Sequence, residues 1–327
     1  MNLPVLNAIA RVAQEPPPRT TWQIKVGTLC NLRCQYCYEW DRLGDRGRLT
    51  LDQWRHVFEA VRVHRLHRMR EVGDDVITTI VWHGGEPTLH PPGYVRAVLE
   101  LQQEVLGALM SGPGRVRNAV QTNLTRLGAT LSLMVDAGFA ISVSADFALG
   151  ARIDAQGRES DARVRTNLEH LLADGATCGL SLVLGRHNSE HLDDVHDALA
   201  RMGAAWLNVI PMLPPPAAAP GRHLLLEPGE VVNSLERLFV HWAQGGARLA
   251  VHPLCRVLRT ALRRRSAMPA DQDRDLRRNV RMIVQPDGTL TEQKPSFGHP
   301  AIESELCARV EACLDDAGVV ALNEAVW

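Results

Sequence analysis

The chain has 327 residues, 45% hydrophobic and 22% charged, with a formal net charge of -1. That is an ordinary globular composition, long enough for one large or two modest domains. The near-neutral balance gives no electrostatic reason to expect nucleic acid as a partner, and basic runs such as "RHRMR" and "RTALRRR" read as solvated helix faces. No stretch approaches the roughly 18 consecutive apolar residues that span a bilayer. The N-terminus lacks the early positive charge and apolar core of a signal peptide. A cytoplasmic protein, away from membranes and with reduced thiols, is expected.

A lead-in of residues 1–20 precedes a first strand, "TWQIKVGTL", which ends at three crowded cysteines. "TLDQWRHVFEAVRVHRLHRMRE" follows as a helix, with Thr50 as N-cap and apolar residues at helical spacing. A buried strand, "VITTIVW", then ends at His83. The alternation continues with helix "YVRAVLELQQEVLGAL", strand "RVRNAVQT", helix "LGATLSLMVDAG" and strand "FAISVSA". Helix "ARVRTNLEHLLADG", strand "CGLSLVLG", helix "EHLDDVHDALARMG" and strand "WLNVIPML" complete it.

This order predicts an α/β fold of parallel strands with right-handed crossovers. The strands are nearly continuous apolar runs, as in a sheet covered on both faces. A partial, TIM-like (βα)6 barrel over residues 21–213 fits, because regular alternation stops near residue 213. "PPPAAAPG" marks a Pro/Ala-rich linker within 214–227. Residues 228–327 then form a small α+β extension. It holds helices "PGEVVNSLERLFVHWAQGG" and "CRVLRTALRRR", a hairpin turning at Asp287-Gly288, and a final helix "IESELCARVEACLDDAG". In parallel α/β architectures the site lies at the C-terminal ends of the strands, so the chemistry belongs in the segments that follow them.

Seven cysteines is an odd number, and Cys30, Cys34 and Cys37 crowd into eight residues. Such a set suits metal ligation better than a disulfide framework. Thiolates select zinc or iron–sulfur clusters. A structural zinc site wants four ligands, commonly in two pairs, and no matching pair lies nearby. A [4Fe–4S] cluster held by three thiolates leaves one iron open to a substrate or cofactor.

The Cys-x3-Cys-x2-Cys pattern, with Tyr36 and Tyr38 flanking the last cysteine at the end of a first strand, resembles the radical S-adenosylmethionine (radical SAM) enzymes. "HGGEPTLHP" resembles the Gly-Gly-Glu-Pro motif of that family, and "QTN" and "SVSAD" end the third and fourth strands where the family carries polar residues. The resemblance implies a [4Fe–4S] cluster on Cys30, Cys34 and Cys37 whose open iron chelates S-adenosyl-L-methionine. Reductive cleavage would then give a 5′-deoxyadenosyl radical that abstracts a substrate hydrogen. It also implies cofactor contacts from Tyr36, His83, Gly84, Gly85, Glu86, Gln121, Asn123, Ser144, Asp146, Arg152 and Asn188. The glycine pair would allow close backbone approach, and Arg152 could pair with a carboxylate.

Motif order most resembles the peptide- and protein-modifying branch, which includes anaerobic sulfatase-maturing enzymes and ribosomal peptide maturases. That implies an oxidoreductase-type peptide maturase that crosslinks, epimerises or oxidises a side chain. Its partners would be a peptide or protein substrate and a reductase such as flavodoxin or ferredoxin, with peptide recognition by a separate leader-peptide-binding protein or by the C-terminal region beyond the linker. The branch usually carries a cysteine-rich C-terminal SPASM or twitch-like extension with auxiliary clusters. Here the expected cysteine after the hairpin is missing from "TEQKPS", leaving Cys255, Cys307 and Cys313. A degenerate extension without a full auxiliary cluster is expected, with one incomplete cluster on those three as the alternative. Cys178 reads as a small buried apolar residue, and helix histidines such as His64 and His67 as surface residues. Two other readings stay open: the same chemistry on a sugar, nucleoside or amino acid, and a non-catalytic zinc- or cluster-binding adaptor.

Overall fold

The computed structural model describes residues 16–73, 76–111, 115–148, 150–265, 278–293 and 300–316. Residues 1–15 of the expected lead-in and the "KPS" positions after the hairpin lie outside them. Six parallel strands appear in the expected order: β1 (Arg19–Gly27), β2 (Ile77–Gly84), β3 (Val116–Thr122), β4 (Ala140–Ser144), β5 (Cys178–Leu184) and β6 (Trp206–Pro211). Between them run α1 (Leu51–Val72), α2 (Pro92–Leu106), α3 (Ala129–Asp136), α4 (Asp161–Ala173) and α5 (Leu192–Met202). Thr50 caps α1 as expected: its hydroxyl accepts from Gln53 N, and the Gln53 side chain accepts from Thr50 N.

The alternation runs one unit further than the sequence pattern indicates. Helix α6 (Pro228–Gln244) leads into a short β7 (Ala250–His252) that pairs in parallel with β6. After α7 (Leu254–Arg265), β8 (Asn279–Val284) pairs in parallel with β1, and β9 (Leu290–Gln293) closes the hairpin. The C-terminal segment therefore extends both edges of one sheet, ordered β7-β6-β5-β4-β3-β2-β1-β8-β9. The last helix, α8 (Pro300–Asp316), packs on α6 and α7. The Pro/Ala-rich segment does not hang free. Gly221 N donates to Gln35 O at 2.9 Å, and a Cβ at Gly221 would stand 2.6 Å from the Gln35 carbonyl.

One face of the sheet makes the core. Trp22, Ile24 and Val26 of β1 are buried with Trp54 and Phe58 of α1 and Trp82 of β2. Each such side chain contributes about 1.5–3 kcal/mol. His64, expected at the surface, packs edge-on against Trp22 at 5.6 Å. His67 is exposed and pairs with Glu71 at 3.2 Å.

The other, concave face is not the apolar wall that the strand composition indicates. Gln121 Nε2 donates to Ser144 Oγ at 2.6 Å, and the Ser142 and Ser181 hydroxyls meet at 3.1 Å. Thr21, Gln23, Lys25, Asn208 and Ile210 keep part of their surface open to solvent. An open barrel admits water or a ligand to its lumen, so polar side chains on that face need not be desolvated. Trp206 lies across Gly179, where a Cβ would stand 2.2 Å from the indole. Among the described residues no helix is long and apolar enough to cross a membrane.

Candidate active site

The cysteine loop leaves β1 at its C-terminal end and is held from several sides. Cys30 N donates to Leu43 O, Cys37 N to Cys34 O, Arg33 N to Ile153 O and Gln35 N to Ala151 O. The Arg33 guanidinium binds the carbonyls of Cys30 and Leu32 at 2.9 and 2.7 Å. The loop backbone is thus pinned along its length, and the glycine pair explains how its root is packed. Gly84 has φ +119, and a Cβ there would stand 2.1 Å from Gly27 O; at Gly85 it would stand 2.2 Å from Leu29 O. Gly85 N and Glu86 N donate to Gly27 O and Leu29 O. The close approach these glycines permit is therefore first of all to the root of the cysteine loop.

All seven cysteines are free thiols. Burial pushes Cys30 up to about 11 and Cys37 up to about 12, and it raises Cys34 as well. Thiolates in this setting need a neighbouring positive charge, which metal ligation supplies. Two donors already point at one sulfur: Leu32 N lies 3.4 Å and Asn123 Nδ2 3.7 Å from Cys30 Sγ. The spacing of the set argues against one zinc ion. Tetrahedral zinc would hold thiolate sulfurs about 3.8 Å apart. Among the described residues only His196, Asp197 and His241 place their ligand atoms all within 4.8 Å of one another. The Cys30, Cys34 and Cys37 sulfurs therefore do not all lie within that distance of one another.

Beside Cys30 sits Glu86, fully enclosed. Its Oε1 accepts from Thr88 N, Thr88 Oγ1 and Thr122 Oγ1, and its Oε2 from Asn123 N at 2.6 Å. Burial raises its carboxyl, against these four hydrogen bonds. Leu124 adopts a positive φ of 50 immediately after Asn123, a strained conformation for a branched side chain at the rim of the site. His83, the penultimate residue of β2, has Nδ1 accepting from Gly84 N at 2.7 Å and stacks with Tyr38 at 6.5 Å between ring centres. Burial, then the charges of Lys25 and Arg281, push it down to about 4, so it is neutral at pH 7. Lys25 pairs with Glu39 at 2.7 Å and lies over the Tyr38 ring.

A second buried group joins the loop to β4 and β5. The Tyr36 hydroxyl donates to Asp146 Oδ2, and Arg152 Nη1 donates to the same hydroxyl at 2.9 Å. His187 Nε2 lies 3.2 Å from Asp146 Oδ2, and its ring stacks on Tyr36 at 5.7 Å. Val183 N donates to Asp146 Oδ1 at 3.1 Å. Burial, opposed by Arg152, raises Tyr36 well above the usual phenol range. The structure thus brings Tyr36, Asp146 and Arg152 together and adds His187, which sequence reasoning missed. The residue just before Asn188, in "GRHN", was the available signal.

Other candidates point elsewhere. Asn188 spends its amide on its own loop, donating to Val183 O and accepting from Gly185 N. Gln121 and Ser144 bond each other in the lumen. Cys255 on α7 and Cys307 on α8 are buried in the apolar core, with Cys313 packed against it. Burial pushes Cys307 up to about 11.

Residues 24–199 match the family described as "Radical SAM superfamily", which is more than half of the chain. The chain belongs to the radical SAM superfamily. Radical SAM enzymes carry a [4Fe–4S] cluster and S-adenosylmethionine, and the three-cysteine loop with its polar surroundings fits that pair. The chain is 23% identical over 219 residues to the cysteine-type anaerobic sulfatase-maturating enzyme of Clostridium novyi, covering 65% of this chain and 56% of that one. It is 24% identical over 218 residues to the serine-type enzyme of Klebsiella aerogenes, covering 64% and 51%. It thus spans about half the length of these relatives. Among solved structures, anSMEcpe with bound AdoMet and Cp18Cys peptide aligns with a TM-score of 0.56 at 20% identity, over 72% of this chain and 63% of that one. Streptococcus suis SuiB aligns at 0.55 and 14% identity, over 89% and 67%. These likenesses place the fold among partial-barrel radical SAM proteins with a C-terminal extension.

Proposed function

We propose that this radical SAM enzyme modifies a side chain of a peptide or protein by abstracting a hydrogen atom from one of its C–H bonds. When bound, the cluster and S-adenosylmethionine supply a one-electron reductive cleavage and the carbon radical it yields. Cys30, Cys34 and Cys37 would hold the cluster. Glu86 and Asn123, beside Cys30, are the polar groups placed for the methionine end of the cofactor. Asp146, Arg152 and His187 position Tyr36 and, through it, the turn between Cys34 and Cys37. His83 and Tyr38 form the rim through which a substrate would enter. We assign the barrel chemistry to residues 21–213 and substrate contacts to both the lumen and the C-terminal segment.

The observation that carries this reading is the cysteine loop at the C-terminal end of β1, with a buried carboxylate at the end of β2 against it. Peptide substrates are favoured by the branch of the relatives, and by SuiB, whose structure with precursor peptide SuiA aligns at a TM-score of 0.52. An electron donor of the flavodoxin or ferredoxin class completes the reaction. The test is anaerobic reconstitution with iron and sulfide, then reduction in the presence of S-adenosylmethionine. Formation of 5′-deoxyadenosine and methionine, lost in Cys34→Ala, is the expected outcome. Iron-loaded protein that leaves S-adenosylmethionine intact would sink the reading.

A further inference from the structure

The lumen carries a set of cations that the cofactor site does not use. Trp22, Ile24 and Val26 face the helices, so Arg19, Thr21, Gln23 and Lys25 face the lumen. Strand register extends that face. Arg281 of β8 pairs with Thr21, Thr21 with Thr79 of β2, and Thr79 with Arg117 of β3. Arg281 and Arg117 thus flank one row across four strands, Arg19 lies one level below, and Lys25 and His83 pair two levels up, past Gln23 and Val81.

These cations act on one another. Burial and then Arg117 lower Arg19; burial and then Arg256 lower Arg281. Arg281 also acts on His83, and Arg19, Arg259 and Arg256 act on His252. Since His252 lies on β7 and Arg19 on β1, the two sides of the sheet approach across this chamber. Arg19, Arg117 and Arg281 are all exposed, so this part of the lumen is open to water. Lys25 has Glu39, and Arg256 has Glu303 at 3.0 Å. No ion pair joins Arg19, Arg117 or Arg281 to a carboxylate among the described residues. Gathering guanidinium groups without carboxylate partners on one face costs stability, and an anion that binds among them offsets it.

We propose that the lumen takes its substrate by a carboxylate, gripped by Arg281 with Arg19 behind it, and that this carboxylate is an Asp or Glu side chain of the peptide. The proposal rests on the peptide reading above for the source of the carboxylate. The guanidinium fork matches carboxylate geometry. Arg281 is the link because its charge reaches His83, beside the cysteine loop, while Arg256 of the C-terminal segment acts on it from the other side. The C-terminal segment, whose cysteines are packed in the core, thereby contributes a substrate anchor instead.

The test measures binding to cluster-loaded protein with S-adenosylmethionine by ligand-observed NMR. The probes are a blocked Gly-Glu-Gly peptide, its Gly-Gln-Gly counterpart, glutarate and inorganic phosphate. The Glu peptide should bind about tenfold or more tightly than the Gln peptide. That preference should vanish in Arg281→Gln, return in part in Arg281→Lys, and persist in Arg158→Gln, which removes an exposed arginine paired with Asp154. Iron content reports whether each variant folds. Glutarate binding as well as the Glu peptide keeps the carboxylate grip and moves the substrate to a free organic acid. Equal affinity for the two peptides, no saturation by either, binding of phosphate alone, or a preference that survives Arg281→Gln would overturn the proposal. If 5′-deoxyadenosine still forms while the peptides bind equally, the carboxylate grip alone fails. If wild type makes none, the enzyme reading fails and the binding result stands by itself.

Discussion

Cysteines occupy two contrasting regions of this molecule. Cys30, Cys34 and Cys37 sit half-buried on a loop, with N–H donors on Cys30 sulfur and a carboxylate, an asparagine and a neutral histidine nearby. Cys255 and Cys307 lie on helices with their thiols in the apolar core. The residue type is the same and the surroundings set the use. A loop can turn three thiols toward one point and surround them with dipoles, whereas a helix interface offers only apolar contact and a small volume to fill.

The largest effect separates these regions outright. Reconstituted wild type should hold about four irons per chain, and the Cys30/Cys34/Cys37→Ala variant almost none. Replacing Cys255, Cys307 and Cys313 with alanine should leave the count at four. Seven or eight irons in wild type, with several surviving loss of the loop cysteines, would break the contrast. Next in size is the buried group under the loop. Asp146→Ala leaves His187 without its carboxylate and Arg152 with Asp161 alone, and should cost about 3–5 kcal/mol in denaturant unfolding. A cost below about 1 kcal/mol would mean that the Tyr36 group does not hold the loop.

Smaller still, Gly85→Ala places a Cβ 2.2 Å from Leu29 O and should cost about 1–3 kcal/mol, together with weaker iron retention. Gly229→Ala, with open space around it, is the control and should change neither. The smallest effect is in pH dependence. Burial, then Arg48, holds His90 at about 4, against roughly 6.5 in an unfolded chain. The unfolded chain therefore takes up a proton below pH 6.5 that the folded one refuses until about pH 4. Stability is fully present above pH 6.5 and falls as pH drops toward 4. Urea midpoints at pH 7 and pH 5 should show this, with a shallower drop in His90→Gln; an unchanged slope would mean that His90 is not the group responsible.

The legible parts of the sequence were those written in local pattern. The strand and helix order, the Thr50 cap, the Asp287-Gly288 hairpin and the cysteine spacing each depend on residues a few positions apart. Glu86 and Asn123 were legible because their motifs follow strands directly. His187 was not, because a histidine beside Asn188 carries no signal until β4 and β5 bring it against Asp146. The polarity of the lumen was hidden for a similar reason. Ser142, Ser144 and Ser181 interrupt otherwise apolar strands, and only the curvature of the sheet decides whether such positions meet core or water.

By itself the sequence determined the alternating α/β architecture and the crowding of three cysteines at the end of the first strand, because periodicity and spacing are properties of neighbours along the chain. Only the tertiary structure decided that the C-terminal hairpin joins β1, that Tyr36 meets Asp146, Arg152 and His187, and that Arg19, Arg117 and Arg281 fall on the same face of the sheet. Those are pairings between distant segments, chosen by strand register and by which face each strand turns inward, and no local pattern encodes that choice.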